Sequence, residues 1–321
     1  MRAILVKSIG GPEVLQLAEV PEPAPPAPGE VLVKIAAAGV NFADTERRRG
    51  IYAPPVFPWV PGREAAGVVA AVGRGVDVAL VGTRVAYFSA RPSGSYAEWA
   101  TVPASSLFHF ETELPFDVMA SLPQQGLTAH GVLRFACIRP GQTVVVLAAA
   151  GGVGQILVQL SRLTGARVLG IVSTAEKRDA IAGLGAEIIT GYDAFDEAVR
   201  AHTGGRGADH VFDSVGRATQ AASFGALAPY GQLVYYGDAS GLPEPIDVGS
   251  LYDRSLRVGA YKLDIERDAE IADKARRELT TALCRGALRT SVSKSFPLTQ
   301  AAAAHTEMEA RRTTGKIVLT P

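Results

Sequence analysis

Residues 149–154 read Ala-Ala-Gly-Gly-Val-Gly, directly behind the apolar run VVVL (144–147). The spacing A-x-G-x-x-G is chemically specific. Gly151 lets the backbone come close to a pyrophosphate, Gly152 and Val153 span the bend, and Gly154 lets a helix pack tightly on the preceding strand. The amides and dipole of that helix's N-terminus then supply the anion site. The bend follows a buried-type strand and opens an amphipathic helix carrying Val153, Ile156, Leu157, Leu160 and Leu163 on one face. This context separates a dinucleotide loop from an ordinary strand-to-helix turn.

The next strand selects the dinucleotide. An NAD site places a carboxylate about 20 residues on, to take the ribose hydroxyls. Here that strand ends Gly170-Ile171-Val172-Ser173-Thr174, with no carboxylate at its tip. Ser173 and Thr174 offer hydroxyls, and Lys177 follows one turn later, where a cation can meet a 2′-phosphate. Glu176 lies beside it and is expected to face solvent. The expected cofactor is NADPH; on this spacing alone, a solvated surface charge at Lys177 is the alternative.

The elements that must position these groups fall into two patterns. The first hundred residues hold short runs such as RAILVKS, EVLVKIAAAG, AAGVVAAVG, RVAYF and YAEWATV, punctuated by glycine and proline, which predict a mostly antiparallel β domain. The segment PEPAPPAPG (21–29) reads as a stiff loop inside that domain. From residue 122, apolar strands alternate with helical periods: TVVVLAAA, the loop helix, ARVLGIVS, a helix over AEKRDAIAGLG, AEIIT, ADHVFDSVG, a helix over RATQAASFGAL, and GQLVYYG. Short connections between them imply parallel strands and right-handed crossovers. The fold class is α/β, with a doubly wound domain over 122–262 and a β-rich domain over 1–121 and 263–321. The helix EIADKARRELTTALCRG and the strand KIVLT of the tail cannot form a sheet alone and are expected to pack back on the first domain.

Composition bounds the partners. In 321 residues, Lys plus Arg and Asp plus Glu number 32 each, so no net field attracts nucleic acid or an acidic membrane surface. Two cysteines, Cys137 and Cys284, are too few for a disulfide framework or a four-thiolate zinc lobe. The N-terminus lacks a signal peptide's apolar core, and no uncharged stretch reaches the ~18 apolar residues of a membrane span, so a soluble cytoplasmic protein is expected. The five histidines show no metal-ligand spacing. No metal is expected.

Read together, GGPEVLQL (10–17), GVNFADTERRRGIY (39–52), PGREAAGVV (61–69), GLTAH (126–130), AAAGGVG (148–154), TAEKRDA (174–180), VFDSVGR (211–217) and RRTTGKIVL (311–319) resemble, in order and from end to end, the zinc-independent, zeta-crystallin-like quinone oxidoreductases of the medium-chain dehydrogenase/reductase superfamily. The resemblance implies a GroES-like domain built from both termini around an inserted Rossmann domain, a homodimer, and an active site in the interdomain cleft. Zinc-dependent relatives place a cysteine near the position of Asn41 and a histidine-glutamate pair at Arg63 and Glu64. This chain has no cysteine before Cys137, so a soft-ligand zinc site cannot be assembled there.

The resemblance also implies roles. Asn41 is placed near the nicotinamide and acceptor, where an amide suits a carbonyl oxygen gaining charge; a structural, backbone-satisfying role is the alternative. Tyr52 stands where related enoyl thioester reductases have a proposed proton donor. Thr128, Tyr192, Gly216, Gly237 and Lys316 stand at cofactor positions, and Phe42, Glu46, Gln125 and His130 line the substrate cleft. Asp44 is expected to hold the Asn41 loop, and Arg47, Arg48 and Arg49 to form a solvated face.

Two departures bear on substrate. Close bacterial quinone reductases have an aromatic residue at the place of Glu46 and a lysine at that of Gln125. A quinone is the expected acceptor. An enone, alkenal or enoyl thioester is the rival, kept open by Tyr52; only its polyketide-type version is weakened by Phe42, where some of those reductases have tyrosine. A nucleotide-binding protein of RNA-binding or structural function with little turnover is a third reading, without a basic face or decayed glycine motif to favour it.

Overall fold

The computed structural model describes residues 1–52, 56–90 and 94–321. It divides into two compact units, Met1–Gln124 with Asp264–Pro321, and Gln125–Leu263.

In the first unit, β1 (Arg2–Leu5) and β2 (Gln16–Glu19) form an antiparallel ribbon. A seven-stranded sheet contains β3 (Glu30–Val40), β4 (Glu64–Val72), β5 (Arg84–Phe88), β6 (Trp99–Pro103), β7 (Leu107–His109), β14 (Val292–Pro297) and β15 (Lys316–Thr320). Among the described residues, α1 (Phe42–Arg48), α2 (Phe116–Ala120), α7 (Ala269–Cys284) and α8 (Ala301–Glu309) accompany it. The order is β14-β15-β3-β4-β5-β7. One edge of β3 carries β4; the other is shared by β6 along Glu30–Lys34 and β15 along Ala38–Val40. Alternation along β3 puts Val31, Val33 and Ile35 into a core with Ile4, Val85, Leu107, Ile317 and Leu319. Each fully buried aliphatic side chain contributes about 1.5–3 kcal/mol relative to exposure. The tail strand therefore completes the first unit's sheet, and residues 21–29 form a loop between β2 and β3.

The second unit holds a six-stranded, wholly parallel sheet: β8 (Thr143–Val146), β9 (Arg167–Val172), β10 (Glu187–Thr190), β11 (Ala208–Asp213), β12 (Leu227–Tyr235) and β13 (Arg257–Ala260), in the order β10-β9-β8-β11-β12-β13. The accompanying helices are α3 (Pro123–Ala136), α4 (Gly152–Leu163), α5 (Phe195–His202) and α6 (Gln220–Gly225). The chain winds β8-β9-β10 to one side, then returns to β11 and winds the other way. The topological switch point thus falls between β8 and β11, where such sheets bind ligands beyond the strands' carboxyl ends.

Two expectations are corrected here. Leu163 is exposed, because α4 is buried all round only along residues 154–159, with Ser161 beyond, and its last residues Arg162 and Leu163 lie open. Gln155 and Gln159 are accommodated by donating to the Ala150 and Gln155 carbonyls, each at 3.0 Å. The segment AEKRDAIAGLG is not an α-helix: one 3-10 turn, Ala175–Lys177, continues as i→i+3 turns through Leu184. Gly183 and Gly185 adopt φ of +78° and +87°, and Ile181 is the segment's one fully buried apolar anchor. Too little apolar surface is present to hold a longer helix against the sheet. Among the described residues no helix is long and apolar enough to cross a membrane.

Candidate functional site

In the second unit the expected nucleotide residues converge on one end of the sheet. The glycine loop follows β8, Ser173 and Thr174 follow β9, Tyr192 follows β10, Gly216 follows β11, and Gly237 follows β12. Gly151 is the extended N-cap of the 12-residue α4, whose first turn therefore aims its free amides along the loop. A Cβ on Gly154 would collide with the Ala148 carbonyl and lie 2.8 Å from Ala149 Cα, so helix and strand pack at glycine distance. A Cβ on Gly152 would strike the Gln125 carboxamide. Gln125, expected in the substrate cleft, is buried against the phosphate loop. Thr128 and His130 stand partly exposed further along α3.

Beyond β9, Ser173 and Lys177 are partly exposed, and Thr174 gives its hydroxyl to the exposed Glu176, holding that carboxyl below its usual range. Tyr192 packs its ring against the second unit's core. Gly216 adopts φ of +91°, and a Cβ there would meet the Gly241 carbonyl at 2.5 Å and Asp238 Cα at 3.2 Å.

Sequence reasoning assigned no role to Asp213, the group that shapes this turn. Fully buried, its carboxylate accepts from Val215 N at 2.7 Å, Gly216 N at 3.0 Å, Thr219 Oγ1 at 2.7 Å and Ser223 Oγ at 2.8 Å. The signal was an aspartate ending an apolar strand, with glycine, threonine and serine following at short spacing.

In the first unit, Asn41, Glu64 and Lys316 form one interior cluster. Glu64, with no exposed surface, accepts from Asn41 Nδ2 at 2.6 Å, from Gln124 N at 2.8 Å, and from Lys316 Nζ. Lys316 Nζ also donates to Asn41 Oδ1 at 2.8 Å. Asn41 is the N-cap of α1, where Asp44 accepts its backbone N–H at 3.0 Å. Burial pushes the Asp44 carboxyl up to about 6, against the opposing pull of that Asn41 bond and of Lys316. Behind it, Tyr96 OH lies 3.0 Å from His305 Nε2 and 3.4 Å from Asp44 Oδ2. Burial keeps His305 neutral down to about 3.

Three of these residues have partners that the sequence did not indicate. Lys316 is wholly buried, with its ammonium on Glu64 and Asn41. Asn41 spends its carbonyl oxygen on Lys316 and one amide hydrogen on Glu64, leaving a single N–H to offer a ligand. Arg48, expected in solvent, is 1% exposed and ion-paired with Glu309, because α1 lays it beneath α8. Glu46 is buried on α1, Phe42 opens that helix half-buried, and Tyr52 is 38% exposed beyond it.

A zinc ion does not fit these residues. Among those described, no group of three or more His, Cys, Asp or Glu could hold a metal, and Lys316 already neutralises Glu64.

Two family models match the chain: "Alcohol dehydrogenase GroES-like domain" over residues 27–112 and "Zinc-binding dehydrogenase" over 184–319. A 2-haloacrylate reductase from a Burkholderia species is 40% identical, the match covering 100% of this chain and 99% of that protein. A quinone oxidoreductase from Pseudomonas aeruginosa is 38% identical, with 100% and 99% covered. A mycobacterial protein solved in complex with NADPH superposes with a TM-score of 0.91 at 40% identity, both chains fully covered.

Proposed function

The chain belongs to the quinone oxidoreductases of the medium-chain dehydrogenase/reductase superfamily, and from that premise we propose that it reduces a quinone with NADPH and without a metal. The observation that carries the reading is the phosphate loop on α4 at the sheet's switch point, with Ser173, Thr174, Tyr192, Gly216 and Gly237 all beyond the carboxyl ends of strands. The mycobacterial relative holds NADPH, and the Pseudomonas one is a quinone oxidoreductase.

NADPH, when bound, supplies the hydride. Gly151, Gly152, Val153 and Gly154 receive its pyrophosphate through backbone amides, and Lys177 with Ser173 and Thr174 takes the 2′-phosphate. Gly216 and Gly237 leave room for the dinucleotide where side chains would intrude, and Tyr192 and Thr128 flank it. Gln125 steadies the loop through Gly152. Asn41, with its one remaining amide hydrogen, orients an acceptor oxygen, and Lys316 acts indirectly by fixing Asn41. Phe42, Glu46 and His130 shape the acceptor's surroundings. Tyr52 delivers the proton that the reduced oxyanion requires.

The protein is proposed to work as a cytoplasmic homodimer. With balanced charge, no nucleic-acid or membrane partner is proposed.

A second reading, reduction of an activated alkene, is favoured by the 40% identity to a 2-haloacrylate reductase. NADPH oxidation rates with 1,4-benzoquinone, 9,10-phenanthrenequinone, 2-chloroacrylate, an alkenal and crotonyl-CoA test the assignment. Quinones are expected to be fastest. A dominant rate with an alkene transfers the assignment to the second reading, and NADPH binding without turnover on any acceptor rejects both.

A further inference from the structure

At the amino-terminal end of the second unit's sheet, opposite the nucleotide loop, lies a cavity of about 310 Å³ bordered by Arg139, Arg206, Arg257, Asp209, Tyr230 and Cys137. β11 alone, six residues long, sets the two ends roughly 17–20 Å apart. The cavity is therefore no part of the dinucleotide site.

Its charge is unbalanced. Arg206 is answered by Asp209, through bonds of 3.1 and 2.5 Å. The guanidiniums of Arg139 and Arg257 have no partner among the described residues, although the protein as a whole is neutral. His210 on the floor adds no charge at neutral pH, because burial lowers it to about 4. Two planar guanidinium forks thus face a concave space with their donors unspent, the arrangement that recognises phosphate or carboxylate.

The floor is rigid. Gln142 Oε1 accepts the Arg139 backbone N–H at 2.7 Å and lies 3.1 Å from His210 Nε2, while Asp209 Oδ2 accepts Thr143 N at 2.8 Å. Two lining residues are non-glycine yet left-handed: Tyr230 at φ +64° and Cys137 at φ +54°. Left-handed backbone at a bulky residue persists only where its surroundings impose it, and such residues concentrate at ligand sites. Here it holds the Tyr230 ring 75% exposed beside the guanidiniums. The volume is at the small end of ligand pockets.

We propose that this cavity binds a small organic dianion, a phosphate monoester or a dicarboxylate, whose apolar part lies on Tyr230. Cys137, exposed at the rim, reports occupancy. In a Cys284→Ser background, N-ethylmaleimide labelling of Cys137 is followed with phenyl phosphate, phthalate or inorganic phosphate present, and the same probes are titrated by calorimetry. Phenyl phosphate or phthalate is expected to slow labelling saturably, by about tenfold at nine times the half-protecting concentration, as mass action requires. Arg139→Ala combined with Arg257→Ala, both at exposed positions, is expected to raise that concentration at least about fivefold while quinone turnover stays intact. Protection by only one of the two aromatic probes identifies the anionic group. Inorganic phosphate protecting as well as phenyl phosphate overturns the role of Tyr230. No protection and no heat with any probe up to about 20 mM, or equal protection in the double variant, overturns the site.

Discussion

The ammonium of Lys316 on β15 is ion-paired with the carboxylate of Glu64 on β4, 252 residues earlier in the chain, and neither side chain has any exposed surface. Removing one partner strands the other's charge in the interior. Lys316→Met is expected to cost about 3–5 kcal/mol, and adding Glu64→Gln to recover more than half of that. Urea-unfolding midpoints at constant m-value check it; a double variant no more stable than the single would contradict the pairing.

Lys177→Ala is expected to weaken NADPH binding by about 1–3 kcal/mol and to leave NADH nearly untouched, because only NADPH carries the phosphate. Glu176→Gln, which removes a negative charge beside Thr174, should shift NADPH affinity in the opposite direction. Fluorescence titration with both cofactors decides; equal losses for the two at Lys177 would rule out the phosphate contact.

The two loop glycines separate packing from binding. Gly154→Ala forces a methyl into the Ala148–Ala149 backbone and is expected to lose about 1–3 kcal/mol of stability together with NADPH affinity. At Gly151 an added Cβ has as its nearest neighbour the Ala148 carbonyl, at 3.2 Å, so Gly151→Ala should keep its stability and lose affinity alone, by crowding the pyrophosphate. Thermal unfolding beside cofactor titration reads both.

Asp44 makes a pH prediction of definite sign. Its carboxyl is raised from 3.8 unfolded to about 6 folded, so the folded state holds the proton more tightly. Its contribution to stability is complete below about pH 3.8 and is lost as pH rises through 6. Relative to Asp44→Asn, the wild-type protein should therefore lose up to about 3 kcal/mol between about pH 4 and pH 6.5. Buried His305 and His210, lowered to about 3 and about 4, act in the opposite direction in both proteins and cancel in the comparison. A difference that stays flat across this range would refute the shift.

Much of the second unit was legible because periodicity and glycine spacing are local signals: VVVL followed by A-x-G-x-x-G could be read without knowing any distant contact. What stayed hidden depends on residues remote in sequence. Arg48 sits in the run RRR, which reads as solvent-facing, and only α8 explains its burial. Lys316 precedes IVLT and reads as a strand-end charge until Glu64 is found beside it. A lone carboxylate heading the apolar run EAAGVVAAV was the available hint. The helix expected after Thr174 failed because helix-forming residues such as Glu176, Lys177 and Arg178 lacked an apolar face to pack.

The pairing of β15 with β3 also sets the order of events on the ribosome. Everything the second unit needs has been made by Leu263, whereas the first unit's sheet is incomplete until Lys316–Thr320 emerge. Residues up to Gln124 must therefore wait through about 190 further residues of synthesis, roughly 10–40 s, with β3 lacking its β15 neighbour on one edge along Ala38–Val40. The middle of the polypeptide matures before its beginning, and the nascent amino-terminal strands are this protein's most exposed moment to chaperones and to misassembly.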